Sequence, residues 1–138
     1  MARKKIKKQN YTYAVGRRRA ASARIRLFKG KGQSTVNGKP IEEYFPGKVL
    51  EDIYTKPFKA TETSDNYYVT VKVVGGGKMG QLDAVVHGIA RVLVKLDQGK
   101  HKRPLRKLGL LTRDARTRER RKVGMGGKAR RKKQSPKR

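Results

Sequence analysis

Gly75, Gly76, Gly77, Lys78, Met79 and Gly80 formally contain GxGxxG, between a run of alternating valines and a helical apolar stripe. A glycine-rich strand-to-helix turn holds a pyrophosphate only when a second parallel strand follows the helix and ends in an acid about 20 residues on. Asp97 lies near that distance, but Gln98–Lys102 directly after it offers no strand pattern. The phosphate-loop pattern fails too, because Met79 stands where Ser or Thr should follow the lysine. Two readings remain. The glycines permit a tight turn and close packing, or the N–H groups of Gly75, Gly76 and Gly77, with Lys78, approach a nucleic-acid phosphate. Other candidates for chemistry are sparse. Glu42 with Glu43 and Glu51 with Asp52 are neighbours in sequence, which on a helix point apart. His87 borders the apolar stripe, and His101 sits among lysines where it would sooner touch phosphate than act as a base. With no cysteine and two histidines, thiolate and histidine metal clusters are excluded.

The abundant chemistry is cationic. Lys and Arg number 38 against 10 Asp and Glu, a formal net charge of +28. Self-repulsion on that scale opposes compaction unless a polyanion removes it. Residues 1–19 hold 8 basic and no acidic side chains, whereas residues 40–99 hold 7 basic and 8 acidic. Residues 100–138 then hold 18 basic and 2 acidic. A nearly neutral middle therefore lies between two cationic arms, and one-signed terminal runs favour polyanion binding over a merely solvated face. Arg17, Arg18, Arg19, Arg24 and Arg26 are candidates at the front. Arg113, Arg116, Arg118, Arg120, Arg121 and Lys122, then Lys128, Arg130, Arg131, Lys132 and Lys133, are candidates at the back. Tyr11 and Tyr13 could stack on exposed bases, or anchor the arm to the domain.

The elements that must position these residues are legible in part. Met1–Gln9 has no periodicity and reads as disordered alone. Ala21, Ala23, Ile25 and Leu27 alternate with polar positions, which predicts a strand with Arg24 and Arg26 on its other face. Gln33–Val36 reads as a strand closed by a turn at Asn37-Gly38. Pro40 suits the first turn of a short helix, with Glu42 and Glu43 near its positive end. Val49–Lys56 reads as a helix ended before Pro57. Tyr67–Val74 is the clearest strand, and Met79–Leu96 the clearest helix, its stripe of Leu82, Val85, Val86, Ile89, Leu93 and Leu96 covering the sheet. Lys102–Leu108 suggests a short basic helix with Pro104 in its first turn and Gly109 as its stop. Leu110 and Leu111 would anchor that segment to the core. Arg116, Arg118 and Arg120 alternate as in an arginine-faced strand. Beyond Gly124 no apolar face exists, so the segment is expected to order only on binding. Extended, it would reach about 50 Å at roughly 3.3–3.6 Å per residue. No apolar run approaches the roughly 20 residues of a membrane span, and no signal-peptide core follows the basic start, so a cytosolic location is expected.

Several motifs in register resemble one family. Tyr13–Arg19 (YAVGRRR), Val36–Pro40 (VNGKP) with Tyr44 and Phe45, Gly75–Gly77 with Gln81, Leu111–Arg116 (LTRDAR) and Glu119–Gly124 (ERRKVG) are similar to the ninth protein of the small ribosomal subunit, bacterial and organellar branch. The resemblance runs from Tyr11 to Arg138. It implies an α+β two-layer domain at 11–111, a small mixed sheet covered by helices and resembling the second domain of ribosomal protein S-five. It also implies a basic arm at 1–10 and a long basic C-terminal extension at 112–138. Implied partners are ribosomal RNA of the subunit head, neighbouring head proteins and the peptidyl-site tRNA, which Lys137 and Arg138 would approach. The implied role is non-enzymatic, needs no cofactor, and places the chain in the cytoplasmic or organellar ribosome. One departure is present: the family's bacterial ending usually reads Pro-Gln-Phe-Ser-Lys-Arg, whereas this chain ends Gln134-Ser135-Pro136-Lys137-Arg138. Rival readings are an architectural DNA-binding protein, which would bind duplex DNA comparably, a nucleotide-dependent transferase using the glycine turn, and a cationic membrane-active peptide.

Overall fold

A computed structural model describes residues 10–121 and Val123. Strand β1 (Tyr11–Arg18) turns at Arg19, whose φ is 53°, into β2 (Ala21–Lys29). Two short strands come next, β3 (Thr35–Val36) and β4 (Lys39–Pro40), then helices α1 (Ile41–Tyr44) and α2 (Lys48–Thr61). The chain continues through β5 (Tyr67–Val74), α3 (Lys78–Leu96) and α4 (Gln98–Lys107). The sheet order is β1-β2-β5-β3-β4, antiparallel except where β3 runs parallel to β5. This is the expected mixed sheet with helices, an α+β fold.

Period-two alternation explains the core. Ala21, Ala23, Ile25 and Leu27 of β2 and Val69, Val71 and Val73 of β5 are all buried. The stripe of α3 lies on them, with Leu82, Val85, Ile89 and Leu93 fully inaccessible. Gly16 of β1 meets Gly88 of α3 backbone to backbone: a Cβ on Gly16 would lie 1.9 Å from the Ala84 carbonyl oxygen. Phe45, Tyr54 and Phe58 extend the core from α1 and α2. Among the described residues, no helix is long and apolar enough to cross a membrane.

Three sequence expectations need correction, and no expectation covered β1. β1 shows no strand pattern in the sequence because Gly16 and Arg18 interrupt its inward face, yet it forms the sheet's edge. α2 does not end before Pro57 but runs through it to Thr61. An interior proline costs about 3 kcal/mol; here Pro57 and Phe58 are buried, and Thr61 Oγ1 donates to the Pro57 carbonyl at 3.0 Å. α4 begins at Gln98 rather than Lys102, because the Asp97 carboxylate caps it by accepting from the Lys100 N–H at 3.2 Å. Asp97 is thus a helix cap and not the acid of a nucleotide fold. Finally, residues 113–121 form no strand: Asp114 and Arg116 are held by the Arg18 side chain and not by backbone pairing with the sheet.

Candidate nucleic-acid interface

The sheet separates the front arginines by parity. Cross-strand partners Tyr13 and Arg26, and Val15 and Arg24, share the face away from α3. On β5 the same face carries Tyr68, Thr70, Lys72 and Val74. Arg24, Arg26 and Lys72 are exposed there. Arg17 belongs to this face by register, opposite Ser22, and is exposed as well.

Arg18 points the other way, toward α3. Its guanidinium lies 3.7 Å from Asp83 and 3.1 Å from Asp114, and donates to the Arg116 carbonyl at 3.0 Å. Its side chain is only 12% exposed. Arg116 grips Asp114 with two hydrogen bonds of 3.0 and 2.8 Å. Those bonds, with the Arg18 charge added, hold the Asp114 carboxyl well below the usual carboxylate range. The His87 Nε2 lies 3.3 Å from the Leu111 carbonyl, and burial lowers the pKa of His87 despite that contact. The base of the C-terminal segment is therefore clasped to β1 and α3, which places Arg18 in a structural position while Arg17 and Arg19 remain exposed. Arg18→Ala is expected to raise proteolytic cleavage at Thr112–Arg116 about tenfold, since charge-assisted hydrogen bonds contribute about 1.5–3 kcal/mol each. Arg17→Ala and Arg19→Ala should leave that cleavage unchanged, and equal cleavage in all three variants would refute the clasp.

The glycine turn is built for close approach. Gly75 and Gly76 have φ of 77° and 65°, in the left-handed region that side chains disfavour. A Cβ on Gly75 would lie 2.3 Å from the Ala20 carbonyl oxygen, so this turn abuts the β1–β2 hairpin beside Arg19. Gly77 has no such neighbour and caps α3 without a side-chain partner. The first helical N–H with a backbone acceptor is that of Gln81, which donates to Gly77. Lys78 is held back from the turn: its Nζ donates to the Tyr44 carbonyl at 3.0 Å and lies 3.6 Å from that ring's centroid. Tyr44 donates in turn to Gln81 at 2.6 Å, and Gln81 to the Gly75 carbonyl at 3.0 Å. This chain of contacts braces the turn.

Arg113, Arg116, Arg118, Arg120 and Arg121 are exposed along the outgoing segment. Lys122, Lys128, Arg130, Arg131, Lys132, Lys133, Lys137 and Arg138 lie outside the described residues, as does the arm before Asn10. Sequence reasoning passes over two groups of cations. Arg91 and Lys95 of α3 donate to the Val15 and Tyr13 carbonyls on the edge strand, which covers an edge otherwise open to pairing. α4 exposes Lys102, Arg103, Arg106 and Lys107; their spacing off the apolar positions was the available signal. His101, expected near phosphate, is instead 3% exposed with Nδ1 unpartnered among the described residues. α4 turns it inward with Leu105, and burial lowers its pKa. No group of three or more His, Cys, Asp or Glu that could hold a metal occurs among the described residues.

The family described as "Ribosomal protein S9/S16" matches residues 16–138. The small ribosomal subunit protein uS9 of Maridesulfovibrio salexigens is 48% identical over 119 residues, covering 86% of this chain and 91% of that protein.

Proposed function

The chain belongs to the ribosomal protein S9/S16 family, and from that membership we propose that it is a structural, non-enzymatic protein of the small ribosomal subunit that binds ribosomal RNA in the subunit head. The observation that carries the reading is the placement of charge. The packed core lies within the neutral middle of the chain, and the described cations of the open sheet face, the hairpin tip, α4 and the outgoing segment are exposed. Arg17, Arg19, Arg24, Arg26 and the arginines from Arg113 onward neutralise phosphates and release counterions. The turn at Gly75–Gly77 offers N–H groups to a further phosphate at the start of α3. Neighbouring head proteins complete its surroundings in the ribosome.

The test is sedimentation of extract from cells expressing the tagged chain on a sucrose gradient. The chain should travel with small subunits and stay there until high salt strips it. Its absence from them, or equal retention on duplex DNA under competition, would overturn the reading.

The finer proposal concerns the end of the chain. Lys137 and Arg138 approach the anticodon stem of the peptidyl-site tRNA, where they add phosphate contacts. Removing Arg138 should leave subunit assembly intact and speed tRNA dissociation from the peptidyl site roughly tenfold, the loss of one charge-assisted contact. An unchanged dissociation rate would remove the tRNA from the account.

A further inference from the structure

The face of the sheet turned away from the helices is cationic and partly apolar, and among the described residues its Arg24, Arg26, Lys72 and Val74 are exposed. Resting on the RNA-binding reading and deepening it, we propose that this face takes an unpaired RNA strand, with phosphates on Arg24, Arg26 and Lys72 and a base stacked on Tyr13.

The register is the first support. Arg24 on β2 stands directly opposite Lys72 on β5, and Arg26 comes two residues along on the same face. Like charges directly opposed on neighbouring strands destabilise a sheet. The carboxylates found in ion pairs lie elsewhere: Asp83 and Asp114 serve Arg18, Asp114 also serves Arg116, and Asp52 serves Lys59. No Asp or Glu lies within β1, β2 or β5. An anion of fixed spacing removes this repulsion, and a nucleic-acid backbone has that form.

Shape and aromatic placement choose the kind of nucleic acid. A depression of about 1120 Å³ lies over the face, bordered by Tyr13, Arg24, Arg26, Lys72 and Lys95. At one end Phe28 stacks on Tyr68 with ring centroids 5.2 Å apart, and the Arg26 guanidinium sits 5.1 Å from the Tyr11 ring. Those rings are taken up by one another. Tyr13 is 38% exposed, opposite Arg26, and its carbonyl is held by Lys95 at 3.0 Å. An exposed ring beside cations suits a splayed base, whereas a duplex keeps its base faces inside and presents only its backbone.

The test uses the full chain with a labelled mixed-sequence single-stranded oligoribonucleotide and its duplex. Tyr13→Ala should weaken single-strand binding roughly tenfold, as loss of one stacked base does, and should leave duplex binding within about twofold. Tyr13→Phe should restore it. The salt slope should be unchanged by Tyr13→Ala and shallower by about 1.4 in Arg24→Ser with Lys72→Thr, since each single-strand phosphate contributes about 0.7. The chain has no tryptophan, so tyrosine fluorescence of the unaltered protein gives a reading without any variant, and single strands should quench it more than duplex. Equal quenching by both, or indifference to Tyr13, overturns the proposal while leaving RNA binding itself in place. Unchanged RNA affinity with failure to enter small subunits would assign the face to a neighbouring protein and also overturn it. A chain that binds neither RNA would bring down the parent reading instead.

Discussion

Gly16→Ala is expected to abolish the stable fold. The added Cβ would stand 1.9 Å from the Ala84 carbonyl oxygen and 2.3 Å from the Gly88 nitrogen. Both are backbone atoms of α3, so no rotamer change relieves the clash, and helix and strand must separate by more than 1 Å, an order-of-magnitude figure set by ordinary contact distances of about 3.5 Å. Separation would loosen Ile25, Ala84 and Ile89, all fully buried. Forced overpacking costs about 1–3 kcal/mol even where side chains can adjust, and a backbone clash stands above that range. A domain of this size has only about 5–15 kcal/mol in total. Thermal unfolding followed by circular dichroism should show a midpoint at least about 15 °C lower, or no cooperative transition. Gly77→Ala is the matched control. It has nothing within 4 Å of the new Cβ, so its melting should fall by only a few degrees, the roughly 0.5–1 kcal/mol by which alanine is a poorer N-cap than glycine. A shift below about 5 °C for Gly16→Ala would refute the close crossing of β1 and α3.

Truncation after Arg121 should produce the largest change in RNA binding. It removes eight of the 38 basic residues and no acidic ones. If each engages a phosphate, the slope of log K against log salt becomes shallower by about 5–6, at about 0.7 per single-strand phosphate. Across a fourfold change in salt, the truncated chain would lose about a thousandfold less affinity than the full chain. Fluorescence anisotropy with small-subunit ribosomal RNA at four or five salt concentrations gives both slopes directly. Asp114 and Arg116 remain in the truncated chain, so the clasp on Arg18 survives and thermal unfolding should be unaltered. Equal slopes would mean that the lost cations face solvent in the complex and that the folded domain supplies the electrostatic contacts.

Parts of this design are legible from the chain because local rules suffice for them. The alternation in Ala21–Leu27 and Tyr67–Val74, and the stripe of Leu82 to Leu93, each carry their own period, and each folds accordingly. The resemblance to a ribosomal family is legible through separate short motifs, none specific alone, and the family match covers residues 16–138. Helix limits are less legible. The missing N–H of Pro57 and Pro104 marks a boundary near each, yet both lie inside helices whose packing offsets that loss. His101 stands among lysines in the sequence, but the helical turn it shares with Leu105 carries it into the core.

The sequence by itself determined that the protein carries a neutral middle, strongly cationic ends and no cysteine chemistry. Composition and charge order along the chain hold in any conformation, so no structure was needed to read them. Where each described cation sits is a property of the tertiary structure alone. Arg17, Arg18 and Arg19 are consecutive and chemically identical, but β1 is an edge strand with one face on α3. Its alternation sends Arg17 to the open sheet and Arg18 to Asp83 and Asp114, while the hairpin leaves Arg19 exposed beside the glycine turn. The tight packing of the glycine turn likewise depends on neighbours distant in the chain. Gly75 and Gly76 are held to glycine by the left-handed backbone and the contact with Ala20 and Ala21, and of the three only Gly77 faces open space. Such assignments depend on residues far apart in the chain, which no local pattern brings together.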